Sequence, residues 1–340
     1  MLTNEKPAPR AIVLYSGGLD STLAVLVLKR LGVEVIAVNF TTSFGCSPQD
    51  RSSCSHADDS VAEKFGFTLK YYPLGEEFWN IVKHPAHGYG KNMNPCIDCR
   101  ILMLKEAKKI MDATQADFIA TGEVLGQRPM SQHIRALNMI ERESGLKGYL
   151  LRPLSAKLLH PTIPEQNGFI DRDKLLGLLG RTRKPQFALA KEFGLLKIPQ
   201  PASGCLLTDP DYSRKLKDLL KYSPDCDGRD IELLKVGRHY RLAENSKLII
   251  GRNFKDNCKI EKLFKYGDVL LSPGDDIPGP TALLLEKNIN DVHIGLSAKI
   301  FARFSDGKKS VVSVLIKNSG NEILINAQSM AEDELNQMKI

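Results

Sequence analysis

The hydrophobic positions in the first half of the chain fall into short runs that alternate with helix-spaced stretches. Ala11 to Tyr15 is an apolar run followed by a glycine-containing turn. A helical stretch from Ser21 to about Leu31 comes next, and Gly32 stops it. Val33 to Phe40 reads as a buried strand, Ser60 to Phe65 as a helix and Thr68 to Tyr72 as a strand. Ile101, Leu104, Ala107 and Ile110/Met111 recur at three-to-four spacing, which predicts a helix over about Cys99 to Ala113. Asp117 to Thr121 and Arg135 to Ile140 read as further strands. Short apolar strands separated by helices imply a parallel sheet covered on both faces. The prediction is a doubly wound α/β domain over residues 1–160.

Beyond it the pattern changes. Asp171 to Leu179 and Arg183 to Phe193 read as helices split by the turn at Gly180, and Tyr212 to Tyr222 as a helix rich in Lys and Leu. The loop Pro199-Gln-Pro-Ala-Ser-Gly-Cys205 cannot be helical. Residues 161–225 are therefore expected to form a small helical connecting segment. From there to residue 340 short strands dominate, at His239 to Leu242, Lys247 to Gly251, Val269 to Leu271 and Val311 to Ile316. This predicts a C-terminal β or α+β domain over residues 226–340.

Composition narrows the function classes. The 340 residues are 42% hydrophobic and 26% charged, the proportions of a globular chain, with no low-complexity tract. No apolar run approaches bilayer length, and the first ten residues lack the apolar core of a signal peptide, so a cytoplasmic protein with no membrane partner is expected. The net charge of +7 suits a polyanionic partner, although many proteins of that balance never meet nucleic acid. Seven cysteines in such a chain favour metal or redox chemistry over a disulfide framework.

The strongest chemical signal is Ser16-Gly17-Gly18-Leu19-Asp20-Ser21-Thr22, placed directly after a buried strand and before a helix. A loop there gathers free backbone N–H groups at the positive end of a helix dipole, where phosphate binds. Glycines allow close approach, and the hydroxyls add donors. The lysine and spacing of a Walker loop are absent. The bland alternative is a serine-glycine turn at a helix start. A second signal is Asn94-Pro95-Cys96-Ile97-Asp98-Cys99, two thiols entering a helix, where the dipole favours thiolate. Cys205 lies in a later loop able to fold over the first domain. For the CxxC alone a redox pair, half a zinc site and plain packing compete. Three thiolates with no obvious fourth ligand suit a cluster with an open iron better than a closed tetrahedral zinc.

SGGLDST resembles the signature loop of the N-type ATP pyrophosphatases, which cleave ATP between the α and β phosphates and activate a carbonyl or carboxyl oxygen as an adenylate. The resemblance implies an adenine nucleotide alpha hydrolase-like sheet. It puts pyrophosphate on Ser16, Gly17, Gly18, Ser21 and Thr22, with Asp20 near Mg2+-bound phosphates and adenine by Val38, Asn39 and Phe40. Asn94 to Cys99, with Ser203-Gly204-Cys205, is similar to the tRNA 2-thiouridylases. Thr121-Gly122-Glu123-Val124-Leu125-Gly126-Gln127, with Ser131-Gln132, resembles the tRNA 4-thiouridine synthetases and adds Gly122 and Gln127 to the nucleotide site. These likenesses span roughly residues 10–208. They imply an ATP-dependent tRNA sulfurtransferase with catalytic Asp20, Cys99 and Cys205. Relatives with all three cysteines are associated with a 4Fe-4S cluster, here on Cys96, Cys99 and Cys205. Relatives with two work through a persulfide, here on Cys99 and Cys205. The sulfur donor would be sulfide or a cysteine desulfurase relay, and the oligomeric state stays open.

Lys247-Leu-Ile-Ile-Gly251-Arg252-Asn253, with Asp256-Asn257 and Pro278-Gly279-Pro280, resembles the RNA-binding domain of NFACT-type proteins. Arg238, His239, Arg241, Lys247, Arg252, Lys255 and Lys259 are then candidates for RNA phosphates, against the bland reading of a solvated basic face. Lesser candidates are Cys46, Cys54 and His56 as metal ligands, and Arg181, Arg183 and Lys184 for RNA or pyrophosphate. His84 and His87 read as loop residues.

Overall fold

A computed structural model describes residues 8–44, 59–195, 205–274, 278–286, 288–305 and 311–340. Cys46, Cys54, His56 and the Ser203-Gly204 pair lie outside the described residues. The chain divides into two compact units, residues 1–209 and 210–340; the expected connecting segment 161–225 straddles that boundary.

The first unit runs β1 (Arg10–Leu14), α1 (Leu19–Arg30), β2 (Glu34–Thr41), α2 (Asp59–Phe65), β3 (Thr68–Pro73), α3 (Glu76–Lys83), α4 (Cys96–Thr114), β4 (Phe118–Thr121), α5 (Ile134–Glu143), β5 (Leu150–Leu151), α6 (Ile163–Gln166) and α7 (Lys184–Glu192). Its sheet has the order β3-β2-β1-β4-β5, with every pairing parallel. Alternation along β1 divides the core. Ala11 and Val13 pack with α1 and α7, while Ile12 and Leu14 face the layer built on Ile101, Leu104 and Ala107 of α4. The doubly wound α/β fold is as expected. Strand order reverses between β1 and β4, so a crevice opens beyond their C-terminal ends, the place where such sheets bind ligands.

Two expected elements differ. Arg135 to Ile140 is not a strand but part of α5, in which Ala136, Leu137 and Ile140 are buried at helical spacing and the His133 side chain caps Ala136 N. Six residues are too few for periodicity to separate the two states. Asp171 to Leu179 is not a helix apart from a 3-10 turn at Arg172–Lys174. Instead its end lies along the chain after β5, with Leu176 N and Leu178 N donating to Pro153 O and Leu154 O. Arg172 pins the turn by bonding Glu165, Ala156 O and Leu159 O. Tertiary hydrogen bonds have overridden local helical spacing.

The second unit is α+β: α8 (Pro210–Tyr222), α9 (Gly228–Leu234), β6 (Arg238–Ala243), β7 (Ser246–Ile250), α10 (Phe254–Leu263), β8 (Val269–Pro273), β9 (Ala282–Glu286), α11 (Asp291–Arg303), β10 (Val311–Asn318), β11 (Asn321–Gln328) and α12 (Glu332–Met338). The six strands form an antiparallel sheet in the order β11-β10-β8-β9-β7-β6. Leu248, Ile250, Leu284 and Val314 pack under Ile294, Ala298 and Phe301 of α11, while Ile249 and Leu283 face Ile260 of α10. Among the described residues no helix is long and apolar enough to cross a membrane.

Candidate active site

The loop between β1 and α1 is held from below. Tyr15 N donates to Val38 O, and the buried Asn39 amide donates to Tyr15 O at 2.8 Å, so β2 fixes where the loop leaves the sheet. Gly17 takes φ +73°, a value that suits glycine. Gly18 is the N-cap of α1 and supplies no side-chain cap, so the first turn keeps its N–H groups for a ligand. Ser21 Oγ and Thr22 Oγ1 donate to Gly18 O at 2.9 and 3.1 Å, and Ser16 Oγ lies 3.2 Å from Ser21 Oγ. Three hydroxyls therefore converge on one loop and need only turn about their side-chain bonds to meet an anion.

Gly122 closes the crevice from β4. A Cβ there would lie 2.6 Å from the Asp20 carbonyl group and from Ser21 Cα, so only glycine lets β4 approach the start of α1 this closely. Gln127 Nε2 donates to Asp20 Oδ2 at 2.9 Å, and Arg183, the N-cap residue of α7, stands 3.6 Å from the same oxygen. Asp20 Oδ1, Gln127 Oε1 and Gln132 Oε1 are buried without hydrogen-bond partners. Buried polar atoms are rarely left so unless a ligand or water completes them. A carboxylate oxygen free beside hydroxyls and a helix N-terminus fits Mg2+-bound phosphate. Of the other expected nucleotide residues, Phe40 turns its ring into the α4-side core beside Tyr72, leaving its backbone rather than its ring for adenine.

The thiols come next in space. Helix α4 begins at Cys96, so Cys96 and Cys99 both sit in its first turn rather than on the loop before it. Asp98 does structural work between them. It accepts from His87 N at 3.0 Å and lies 2.8 Å from His87 Nδ1, whose Nε2 is 3.1 Å from Glu143. The expected thiolate bias at Cys96 is not obtained: burial raises its pKa, and its own N–H, Arg128 and Arg100 only partly offset this. Cys205 opens a short 3-10 turn docked on two sides. Its Sγ is 3.7 Å from Phe44 O, Met93 N donates to Leu207 O, and the Asn92 amide donates to Thr208 O. Among the described residues no three His, Cys, Asp or Glu side chains come together to hold a metal ion. Cys96 and Cys99 in the first turn of α4, and Cys205 ahead of its own 3-10 turn, are the residues that would hold the expected 4Fe-4S cluster.

Arg100, Arg128 and Arg152, which the sequence did not single out, gather around Glu123 of the Thr121–Gln127 run. Glu123 is 2% exposed, accepts hydrogen bonds from Thr121 and Arg152 at 3.0 and 3.1 Å, and is ion-paired with Arg100 at 3.3 Å. Burial alone would raise its pKa, but the two guanidiniums outweigh that and hold it below the usual carboxylate range. Arg100 lies four residues after Cys96, on the same face of α4. The charge of Arg128 acts on both Asp20 and Cys96. Their only sequence signal was adjacency, Arg100 following Cys99 and Arg128 following Gln127.

In the second unit most expected phosphate ligands are engaged internally. His239 is 1% exposed with Nε2 2.8 Å from Val236 O, and burial drives its pKa well below the usual imidazole value. Lys247 is buried against Asp218 at 2.9 Å, and Arg241 meets the same carboxylate at 2.6 Å. Lys259 pairs with Glu232 at 3.0 Å, and Arg238 lies over the Phe304 ring. Arg252 pairs with Asp256 at 2.8 Å yet keeps 47% of its side chain exposed, beside the exposed Phe254 and Lys255.

Comparison with known proteins agrees with both resemblances. Residues 7–157 match the family model described as Thiamine biosynthesis protein (ThiI), and residues 237–338 match the NFACT protein RNA binding domain. Similar proteins include a tRNA-specific 2-thiouridylase of Petrotoga mobilis, 23% identical over 83% of this chain and 79% of the relative. Another, from Desulfitobacterium hafniense, is 32% identical over 62% of this chain and 56% of that protein. Other such relatives are spanned over 65% and 59% of their length. Among solved structures, a 4-thiouridine synthetase–RNA complex with bound ATP is 23% identical over 67% of this chain and 52% of the other, with a TM-score of 0.40. The chain is thus similar to tRNA thiolation proteins in its first unit and to an RNA-binding domain in its second.

Proposed function

We propose that this protein thiolates a uridine in tRNA at the expense of ATP. The observation that carries the reading is the Gly122-Glu123 pair: Gly122 lies tight against Asp20 and Ser21 of the glycine loop, and Glu123 holds Arg100, the residue after Cys99, at 3.3 Å. Phosphate chemistry and thiol chemistry therefore share one crevice. The uridine carbonyl oxygen attacks the α-phosphorus of ATP and pyrophosphate leaves onto the loop of Ser16, Gly17, Gly18, Ser21 and Thr22. A sulfur nucleophile then adds to the activated carbon and AMP departs. Asp20 would hold Mg2+, which neutralises charge on the phosphates; Gln127 and Arg183 fix the orientation of that carboxylate. Inorganic sulfide would add to the activated carbon directly. A cysteine desulfurase relay would instead leave a persulfide on Cys99 or Cys205; its outer sulfur bonds to the activated carbon, the S–S bond breaks as the two cysteines close a disulfide, and an external thiol reductant reopens it. Cys96, Cys99 and Cys205 would hold a 4Fe-4S cluster, whose open iron would present sulfide; failing that, Cys99 and Cys205 carry a persulfide. The second unit supplies RNA contacts around Arg252 and Lys255.

The test is release of AMP and pyrophosphate on adding tRNA, with mass spectrometry of nucleosides from the product. Alanine at Cys96, Cys99 or Cys205 is expected to abolish thiolation while ATP still binds. Full activity in all three variants would sink the reading. Iron and sulfide analysis after anaerobic purification is expected to find about four irons per chain, lost when Cys96, Cys99 or Cys205 is replaced. An iron-free protein would point instead to a persulfide carried by Cys99 and Cys205.

A further inference from the structure

Helices α1 and α7 lie side by side and run in the same direction. At one end Arg183 reaches Asp20; at the other Arg30 pairs with Glu192 at 2.5 Å and lies over the Phe193 ring. Both N-termini therefore open into the same crevice. The N-cap residue of the nine-residue α7, Arg183, makes no side-chain capping bond. Gln186, in the first turn of α7, is 1% exposed, and neither its Nε2 nor its Oε1 has a hydrogen-bond partner. It shares the buried face of α7 with Leu189 and Ala190, the face packed on α1. Side chains on a helix lean toward its N-terminus, so the Gln186 amide extends back toward the end where Asp20 and Arg183 meet. A buried amide with both ends unmet carries a cost that an apolar residue of the same size would avoid. Its retention calls for a partner that is absent when the crevice is empty.

We infer that the N-terminus of α7, with Arg183 and Gln186, is a second anion-binding wall beside the glycine loop, and that it takes the outer phosphates of a polyphosphate. The inference rests on the nucleotide reading above and deepens it. Two helix dipoles then point at one ligand. The Gln186 amide supplies a neutral donor where Arg183 supplies charge, and its carbonyl can accept from a loop N–H or hydroxyl once the ligand draws these groups together.

Inorganic pyrophosphate is the probe, titrated calorimetrically into the full chain, with thermal unfolding measured on the same samples. Gln186→Met and Gln186→Leu preserve volume and remove the amide. Both are expected to unfold at the same or a higher temperature than the wild type and to bind pyrophosphate about tenfold or more weakly, as for loss of a hydrogen bond to a charged group. A purely structural glutamine would give the reverse, a lower unfolding temperature with unchanged affinity, and would overturn the inference. So would wild-type affinity in both variants. Should the wild type bind neither ATP nor pyrophosphate, the nucleotide reading itself would fall, and this inference with it. Gln186→Glu, which sets a negative charge at the same place, is expected to weaken binding further than Gln186→Met does.

Discussion

The two units differ in how they hold the residues expected to meet phosphate. Around the glycine loop of the first unit, Asp20, Gln127, Gln132 and Gln186 each leave a buried polar atom unmet. In the second unit the basic residues that looked suited to phosphate are largely engaged by neighbouring carboxylates, with Asp218 taking both Arg241 and Lys247, and Glu232 taking Lys259. Buried atoms without a partner occur in the second unit too, His239 Nδ1 and Glu286 Oε2 among them, so an unmet atom points to a ligand only where it borders a crevice. A lysine count alone cannot distinguish engaged from waiting charges, and the hydrogen-bond partners of each side chain can.

The largest effect should come from the tightest approach in the crevice. Gly122→Ala would press a methyl group into the backbone of Asp20 and Ser21 and push the start of α1 away from β4. Displacement of catalytic groups by about an ångström costs on the order of a hundredfold in rate. AMP formation in a tRNA-dependent assay is expected to fall by at least about that factor, with the second unit intact. Normal turnover would mean that β4 does not shape the site.

The contrast sharpens at Asp218. Its carboxylate would be raised by burial, but Arg241 and Lys247 outweigh burial and hold its pKa down. Removing one partner of a buried pair strands the other, at about 3–5 kcal/mol. Asp218→Asn should lower the stability of the second unit by that order in urea unfolding, while ATP binding by the first unit persists. Because the folded pKa is depressed, the stabilisation is complete above the ordinary carboxylate value and drains away as pH falls through the folded one. Acid titration of the wild type should therefore lose this contribution, and the variant should not show it.

What could be read from the sequence follows the same division. The strand–loop–helix at Ser16 to Thr22 was legible because glycines, hydroxyls and Asp20 sit beside an apolar run long enough to be a strand. The parallel sheet was legible because β1, β2 and β4 are buried on both faces. Helix α5 was misread as a strand because its six-residue core fits either period. The strap after Asp171 was misread because Arg172 reaches carbonyls 13 and 16 residues away. The joining roles of Arg100, Arg128 and Glu123, and the burial of Lys247 and His239, depend on residues brought together from distant segments. No local pattern reports such partners.

Lys215 tests the second unit in the alkaline direction. Burial, with Arg252 and Lys247 adding to it, pushes its pKa from 10.5 down to about 8, and its Nζ donates to Gly237 O at 3.0 Å. Between those two values the unfolded chain binds a proton that the folded chain does not. Stability should therefore fall as pH drops from about 10.5 to about 8, and the penalty should stay constant below that. Lys215→Met should flatten this slope and leave the unit more stable at neutral pH. An unchanged slope would show that Lys215 remains solvated.

The smallest effect should fall on Arg252 and Lys255, the basic residues left outward where α10 begins. Removing a single cation that meets a phosphate lowers affinity modestly and takes about one unit from the salt dependence of binding. Arg252→Ala and Lys255→Ala are expected to weaken tRNA binding a few-fold each, roughly equally across tRNA sequences, and to reduce the slope of log affinity against log salt. Lys247→Met should leave that slope unchanged even where it alters unfolding, because its ammonium is already held by Asp218. The reverse outcome, a salt slope that depends on Lys247 and not on Arg252, would require the Asp218 pair to open on RNA. It would then break the contrast between satisfied and waiting charge on which the two units were distinguished.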